Sequence, residues 1–397
     1  MKIALVTSSA PFGPGESFVV VEANALVEQR VELVLVPTHI RSKVPRKIKL
    51  DTAIKVISHG LLSFTVFKTF IWEIVDRPIP VMRAFYMVLS WQPVILVKNL
   101  MVLPKAVWLA TLVKDMNIQH IHAQWVSTPS TVAMVASSLS GVPWSFTAHR
   151  GDIVDNNLLC KKMSSASFSR FIAKKSIELA ENICAPMSSE PKLLHMGVLM
   201  PKFQKKGQIQ DKFVFLCPAS LTLVKGHQYL IKAFSSLRDK EGIELWLAGS
   251  GPLKSELEAL VENSGLTQTV KFLGEVTHSD LLDMYAEAKV NAVVLPSLDL
   301  GNGVHEGIPV SLMEAMSYGI PVISTSTGGI PELLYDGAGV IVLQSSAIEL
   351  AKAINKLRFD LYLYKQVSDA GRQRIVEQFN LEVVTKRLVS WFEENSA

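Results

Sequence analysis

The sequence predicts an α/β protein made of two doubly wound domains, each a parallel sheet with helices on both faces. Three observations predict it. Short apolar runs of strand length alternate with longer amphipathic stretches along almost the whole chain, the pattern of βαβ units. The series is interrupted near 200–212 by the polar segment MPKFQKKGQIQDK, with Pro201 and Gly207, and then starts again. The length of 397 residues exceeds one core and suits two domains.

The elements follow in order. In the first series KIALVTSS (2–9), VELVLVP (31–37), HIHAQW (120–125), SFTAH (145–149) and NICAP (182–186) read as strands. VVVEANALVEQR (19–30) reads as a helix. The second series runs FVFLCPAS, ELWLAG, VKFLGE, AVVLPS, PVISTS and GVIVL, with helices at 226–239, 252–264, 278–288, 311–318 and 346–358. Near-continuous Val, Ile and Leu runs mark strands covered on both faces. The domains are read as 1–200 and 201–376. The tail 377–397 is read as an amphipathic helix packing back on the first domain, because Phe379, Val383, Leu388 and Trp391 fall near helical spacing.

Composition narrows the function classes. Hydrophobic residues make up 49% and charged residues 19%, which excludes a disordered or coiled-coil chain. Cys160, Cys184 and Cys217 stand far apart without a CxxC, so neither a disulfide nor a structural zinc is expected, and a reducing, cytoplasmic compartment is. The N-terminus leads directly into IALVTSS and reads as a buried strand rather than an export segment. Residues 1–200 hold 21 Lys and Arg against 13 Asp and Glu, whereas residues 201–397 hold 19 against 23. The basic half points to an anionic partner. Nucleic acid fits poorly, since the cations are not interleaved with stacking aromatics; an anionic membrane surface fits better. Residues 61–113 are apolar and aromatic-rich but interrupted by Lys68, Lys98, Lys105 and Pro104. They admit two readings: core and crossover helices, or a surface that docks peripherally at the inner face of the cell membrane.

The chemistry concentrates in HEGIPVSLMEAMSYGIPVISTSTGGIPELL, residues 305–334. Pro309 suits the first turn of a helix that stops at Gly319. Glu306 then precedes the helix and Glu314 lies about one turn inside. The amides of Val310, Ser311 and Leu312 would be free at its N-terminus, where anions such as diphosphates bind. Two carboxylates bracketing such a site can accept hydrogen bonds from sugar and ribose hydroxyls.

E-G-I-P-V-S-L-M-E-A-M, followed by G-I-P-V-I-S-T and G-G-I-P-E, resembles the E-x7-E signature of the retaining glycosyltransferases of family 4. LAGSGP (247–252), LGEVTHSDLLDMYAEA (273–288) and AVVLPS (292–297) resemble further parts of that family, as do APFGPGESFVVVEANAL (10–26) and SFTAHRGDI (145–153). The bacterial exopolysaccharide enzymes of the colanic-acid type are the nearest subgroup in flavour. The resemblance implies the GT-B fold, two Rossmann-like domains facing a cleft. It implies a donor site drawn from Gly13, Gly15, Ser220, Lys225, Gly249, Val276, Glu306, Pro309, Val310, Ser311, Leu312 and Glu314. Glu306, His149 and Lys225 would carry the chemistry: Glu306 nearest the sugar, His149 near the anomeric centre, Lys225 facing the departing diphosphate. Arg150 and Asp152 beside His149 read as salt-bridged rim residues. One departure stands out. The family usually carries R-x4-K-G where this chain has Ser220 and then Lys225-Gly226, so one clamp charge is missing, and His227 or a basic residue of the other domain is the candidate to replace it.

The expected function is transfer of a sugar from a nucleoside diphosphate sugar to a hydroxyl of a glycan or lipid-linked oligosaccharide, with retention implied by the resemblance. No DxD pair stands at a strand end, so no metal is expected. A catalytically impaired nucleotide-sugar-binding protein, motivated by Ser220, and a sugar-nucleotide epimerase are the alternatives.

Overall fold

The structure is a computed structural model that describes residues 1–10, 16–41, 49–186, 190–201, 212–301 and 304–396. The expected interdomain linker and the glycines Gly13 and Gly15 lie outside the described residues, apart from Met200, Pro201 and Lys212 at the edges of the linker. The chain divides into two compact units. Unit 1 is Met1–Gly197 together with Leu381–Ala397, and unit 2 is Val198–Asn380.

Unit 1 is built on seven parallel strands: β1 (Lys2–Ala10), β2 (Glu32–Ile40), β3 (Lys55–Val56), β4 (His120–Gln124), β5 (Trp144–Ala148), β6 (Phe168–Phe171) and β7 (Lys192–Leu193), in the order β3-β2-β1-β4-β5-β6-β7. Unit 2 has six: β8 (Phe213–Pro218), β9 (Ile243–Ala248), β10 (Val270–Gly274), β11 (Ala292–Leu295), β12 (Val322–Thr325) and β13 (Val340–Val342), in the order β10-β9-β8-β11-β12-β13, again all parallel. In both sheets the first strand of the unit lies inside, and the chain winds outward first one way and then the other. That reversal opens a crevice at the carboxyl ends of β8 and β11 in unit 2, and of β1 and β4 in unit 1.

The sixth strand of unit 1 is not the expected one. NICAP lies on the helix Lys174–Cys184 and the turn after it, and FSRF forms β6 instead. FSRF hides in a Ser-rich stretch and carries Arg170, whose side chain is fully buried, so no apolar run marks it. Two of the three cysteines are not isolated either, while Cys217 is free and buried. The helices Leu159–Ser165 and Lys174–Cys184 bring Cys160 and Cys184 to a Cα separation of 5.2 Å, and the two form a disulfide. Helix packing joins residues 24 apart in sequence, and the support that separated cysteines lent to a reducing compartment falls away.

The tail splits between the units. Phe379 is buried in the core of unit 2, whereas the helix Leu381–Glu394 places Leu388, Trp391 and Phe392 against β1 and β2 residues in unit 1. Val383, expected in the same stripe, is 44% exposed. The apolar segment 61–113 forms three helices, Phe64–Asp76, Pro78–Met87 and Pro93–Asp115. Pro104 does not break the third, which is long and apolar enough to cross a membrane by length and composition. Its C-terminal half is buried: Val102, Leu103, Val107, Leu109 and Val113 cover the sheet of unit 1.

Candidate functional site

In unit 2 the expected donor-site residues follow the carboxyl ends of successive strands. After β8 the chain runs through Ala219, Ser220 and Leu221 into a 3-10 turn, Leu223–Lys225. This segment is pinned on two sides. The Leu221 amide donates to the Ser250 carbonyl at 2.9 Å, and the Leu253 amide donates to the Leu221 carbonyl at 3.1 Å, which locks it against the glycine loop after β9. The Leu298 amide donates to the Val224 carbonyl at 2.8 Å, which ties it to the segment after β11. Gly249 is needed by the first of these contacts. With φ at 158°, it lets the two loops approach so closely that a Cβ there would lie 2.1 Å from the Ala219 carbonyl oxygen.

The turn delivers Lys225 to Glu306: its Nζ donates to Glu306 Oε1, and the two side chains keep 20% and 14% of their surface in solvent. Glu306 is held from behind. Its carbonyl oxygen accepts from His305 Nδ1 at 2.7 Å, and Gly328, at φ +54°, passes so close that a Cβ would sit 1.8 Å from that oxygen. The GG of the GGIPE motif thus lets the chain pass close behind the main chain of Glu306 and Gly307, where the Gly329 amide donates to the Gly307 carbonyl at 3.2 Å. Lys225 after β8 and Glu306 after β11 flank the point where the strand order reverses, the position at which open parallel sheets take ligands.

The helix that follows is Val310–Ser317, with Pro309 at its N-cap rather than in its first turn. Of the three amides expected to be free, Leu312 donates to the Pro309 carbonyl at 3.2 Å in a tight first turn, and its side chain is buried. That leaves Val310 and Ser311 as the outward donors. Glu314 lies one turn further on. Its Oε1 pairs with His278 Nε2 at 2.6 Å, and this hydrogen bond raises the His278 pKa above 6.5. The carboxylate is 14% exposed against 46% for the imidazole.

Neither the residue at the arginine position nor the expected replacement supplies the missing charge. Ser220 is exposed and hydrogen-bonds only loosely, at 3.5 Å, to Thr222 Oγ1. His227 is 1% exposed with neither ring nitrogen paired, and burial lowers its pKa to about 4. A neutral, buried imidazole supplies no charge to a phosphate. Val276 follows β10 and packs against the core of unit 2.

His149 belongs to unit 1, where it caps the short helix Arg150–Val154 after β5. Its ring lies against Trp125, centroids 4.1 Å apart, and Phe18 at 5.1 Å. Nε2 stands 3.5 Å from Gln124 Oε1, at the outer limit of a hydrogen bond. Burial, reinforced by the Arg170 charge, lowers its pKa to about 3. At neutral pH the imidazole is therefore uncharged and offers a hydrogen bond, not a cation. Asp152 is a buried cap rather than a rim residue. Oδ1 accepts from the His149 amide at 2.8 Å, Oδ2 accepts from the Val126 amide, and desolvation pushes its pKa up to about 7.

Sequence reasoning missed what stands behind His149. Gln124 Nε2 donates to Glu22 Oε1 at 2.7 Å, and Glu22 Oε2 pairs with Arg170 Nη1 at 2.7 Å, both side chains buried. Arg170 also donates to the carbonyls of Leu194 and His195, at 3.0 and 2.8 Å. The only signal in the sequence was the charge of Glu22 inside the apolar run VVVEANAL, and Arg170 in its Ser-rich stretch carried none. His278 lies within the 273–288 segment, where nothing in the sequence marks it as the partner of Glu314. The structure brings Lys225 to Glu306 and His278 to Glu314. Among the described residues no group of three or more His, Cys, Asp or Glu side chains is arranged to hold a metal ion.

Residues 200–374 match the family model of the Glycosyl transferases group 1. A Corynebacterium glutamicum protein named as a GDP-mannose-dependent monoacylated alpha-(1-6)-phosphatidylinositol monomannoside mannosyltransferase is 30% identical over 189 residues, 47% of this chain and 49% of that one. WcaL of Salmonella typhimurium, which carries a provisional colanic acid biosynthesis glycosyltransferase name, is 34% identical over 201 residues, 49% of each chain. The chain thus spans about half the length of these curated relatives. Among solved structures, Anabaena HepE in complex with UDP superposes with a TM-score of 0.72 over 99% of this chain and 100% of that one, at 16% identity. This likeness extends the two-domain GT-B fold to the first half, where the family match does not reach.

Proposed function

We propose that this chain transfers a glycosyl unit from a nucleoside diphosphate sugar to a hydroxyl of a glycan or lipid-linked oligosaccharide in cell-surface polysaccharide synthesis. The observation that carries the proposal is the Lys225–Glu306 pair, at the strand-order reversal of a unit that the group 1 family model matches. The pair is preorganised yet open to solvent. A diphosphate entering beside it takes up the Lys225 ammonium, which leaves the Glu306 carboxylate to face the sugar. Negative charge grows on the leaving diphosphate as the glycosidic bond breaks. A fixed ammonium and the outward amides of Val310 and Ser311 stabilise that charge most in the transition state. Glu314 accepts from the ribose hydroxyls. Retention at the anomeric carbon, implied by the resemblance, belongs to the same proposal.

The donor charge is met by Lys225 and main-chain dipoles, so we propose that turnover needs no divalent cation. The relatives favour a transferase over an epimerase. Titration calorimetry with UDP, GDP and ADP, followed by sugar transfer from the matching donors in excess EDTA, tests the reading. One nucleotide bound preferentially, with transfer unaffected by EDTA, is expected. Binding without transfer to any glycan or lipid-linked acceptor would leave a binding protein, and no nucleotide binding at all would sink the site.

A further inference from the structure

Half of the large apolar side chains that the described residues leave exposed, 16 of 32, lie between Leu62 and Met101 in unit 1. They are ordered by helix periodicity. On Phe64–Asp76 the outward row is Phe64, Phe67, Lys68, Ile71, Trp72 and Val75, while Val66 is buried and Phe70 packs on the core. On Pro78–Met87 it is Ile79, Met82, Arg83 and Tyr86, with Val81 and Ala84 buried beneath. On the first turns of Pro93–Asp115 it is Val94, Val97, Lys98 and Met101, with Ile95 and Asn99 buried beneath. The three helices pack on one another. Each is apolar on the face where a helix of a soluble domain is polar, and apolar on its inner face as well.

Each outward row also contains one cation: Lys68, Arg83 or Lys98. None has a carboxylate partner among the described residues. This combination selects the occupant. In a two-fold pairing with a second copy, the buried contact would enclose these cations without partners, which is costly. At a phospholipid surface the long side chains reach back to the head groups while their stems and the neighbouring aromatics stay apolar. Trp91 and Trp72, 102% and 67% exposed, and Tyr86 are the residue types that settle at that interface.

The third helix does not span. From Val102 to Val113 it is part of the core, and Lys105 Nζ donates to the carbonyls of Pro37, Thr38 and His59. We propose that the helices Phe64–Asp76 and Pro78–Met87, with the exposed start of Pro93–Asp115, form a face that seats unit 1 on an anionic phospholipid surface without crossing it. Docking stands on the surface alone. That it brings the chain to a lipid-linked acceptor rests on the transferase reading.

The test is co-sedimentation of the whole chain with phosphatidylcholine vesicles, with and without phosphatidylglycerol, at low and high salt. Binding to the anionic vesicles that weakens with salt is expected. Trp72→Ser with Trp91→Ser should weaken it by roughly tenfold for each indole withdrawn. Lys68→Gln, Arg83→Gln and Lys98→Gln should each weaken it by roughly fivefold. These positions are exposed, so the melting profile and the nucleotide affinity of the variants should match the parent. Full recovery in the supernatant under all four conditions overturns the proposal, as does vesicle binding that the variants leave intact. So does sedimentation velocity showing a dimer that the tryptophan variant dissociates, which would give the face to a second copy. Vesicle binding without nucleotide binding would leave the docking face standing and remove the transferase reading.

Discussion

The two units share a sheet plan, yet the polar side chains near their strand ends differ in kind. In unit 1, Glu22 and Arg170 are 1% and 0% exposed, Asp152 and Lys162 are buried, and His149 is held neutral. In unit 2, Lys225, Glu306, Glu314 and His278 are paired but keep 14 to 46% of their surface in solvent. A buried ion cannot leave its partner without a large desolvation cost, so the unit 1 network holds a shape. A half-exposed pair exchanges partners cheaply, because water screens both states. Unit 2 is therefore the place where a charged ligand can take over an ion already in position.

Breaking the buried network gives the largest expected effect. Arg170→Met strands the Glu22 carboxylate in the interior and should cost about 3–5 kcal/mol of stability. Glu22→Leu combined with Arg170→Met removes both charges and should recover much of that loss. Denaturant unfolding of the two variants decides it, and a single substitution costing under about 1 kcal/mol would show that water reaches the pair.

The exchangeable pair is tested next, by kinetics. Lys225→Ala should lower turnover by about 10²–10³-fold, because its partner charge grows only as the diphosphate departs, and should weaken donor binding far less. Equal losses in binding and turnover would place Lys225 in ground-state binding only. Ser220→Arg sharpens the comparison from the other side. With His227 neutral and buried, the pocket lacks a second cation at the position of Ser220, so turnover should stay equal or rise. A strong fall would show that this pocket manages phosphate differently from the family pattern.

Glu314→Gln ranks third. The change is nearly isosteric, and each charge-assisted hydrogen bond it loses to a ribose hydroxyl is worth about 1.5–3 kcal/mol. An unchanged donor dissociation constant and unchanged turnover would remove Glu314 from the site.

Unit 2 was far more legible in the sequence than unit 1, for a physical reason. Its six strands are apolar runs, and its site residues lie on the segments that leave the carboxyl ends of β8, β10 and β11, so local pattern and global place coincide. In unit 1 the interior carries charge. FSRF was unreadable as a strand because Arg170 pairs with a residue 148 positions away, and NICAP imitated one with its apolar triplet. The Cys160–Cys184 pair and the buried state of His227 are likewise products of packing, invisible to spacing. The Leu312 amide is taken up by the Pro309 carbonyl in a tight first turn, which residue spacing does not show. The segment 61–113 showed its composition but not its division, half exposed and half core, because both halves are equally apolar.

The smallest expected effect comes from the most exposed ionisable group in the comparison, His278. Its bond to Glu314 raises its pKa above 6.5, so the folded state holds the proton more tightly than the unfolded chain does. The pair's contribution to stability is full below pH 6.5 and is lost as pH rises through the raised value. Nearly half of the imidazole is in water, so the effect is screened and should shrink further in salt. Calorimetric melting between about pH 5.5 and 8.5 should therefore show a shallow fall across that window in the parent, and His278→Ala should flatten it. A buried pair would resist salt, so a slope that persists undiminished at high salt would move His278–Glu314 into the class of Glu22–Arg170. A slope that His278→Ala leaves unchanged would assign the pH dependence to the interior of unit 1, where Asp152 is the other group poised near neutrality.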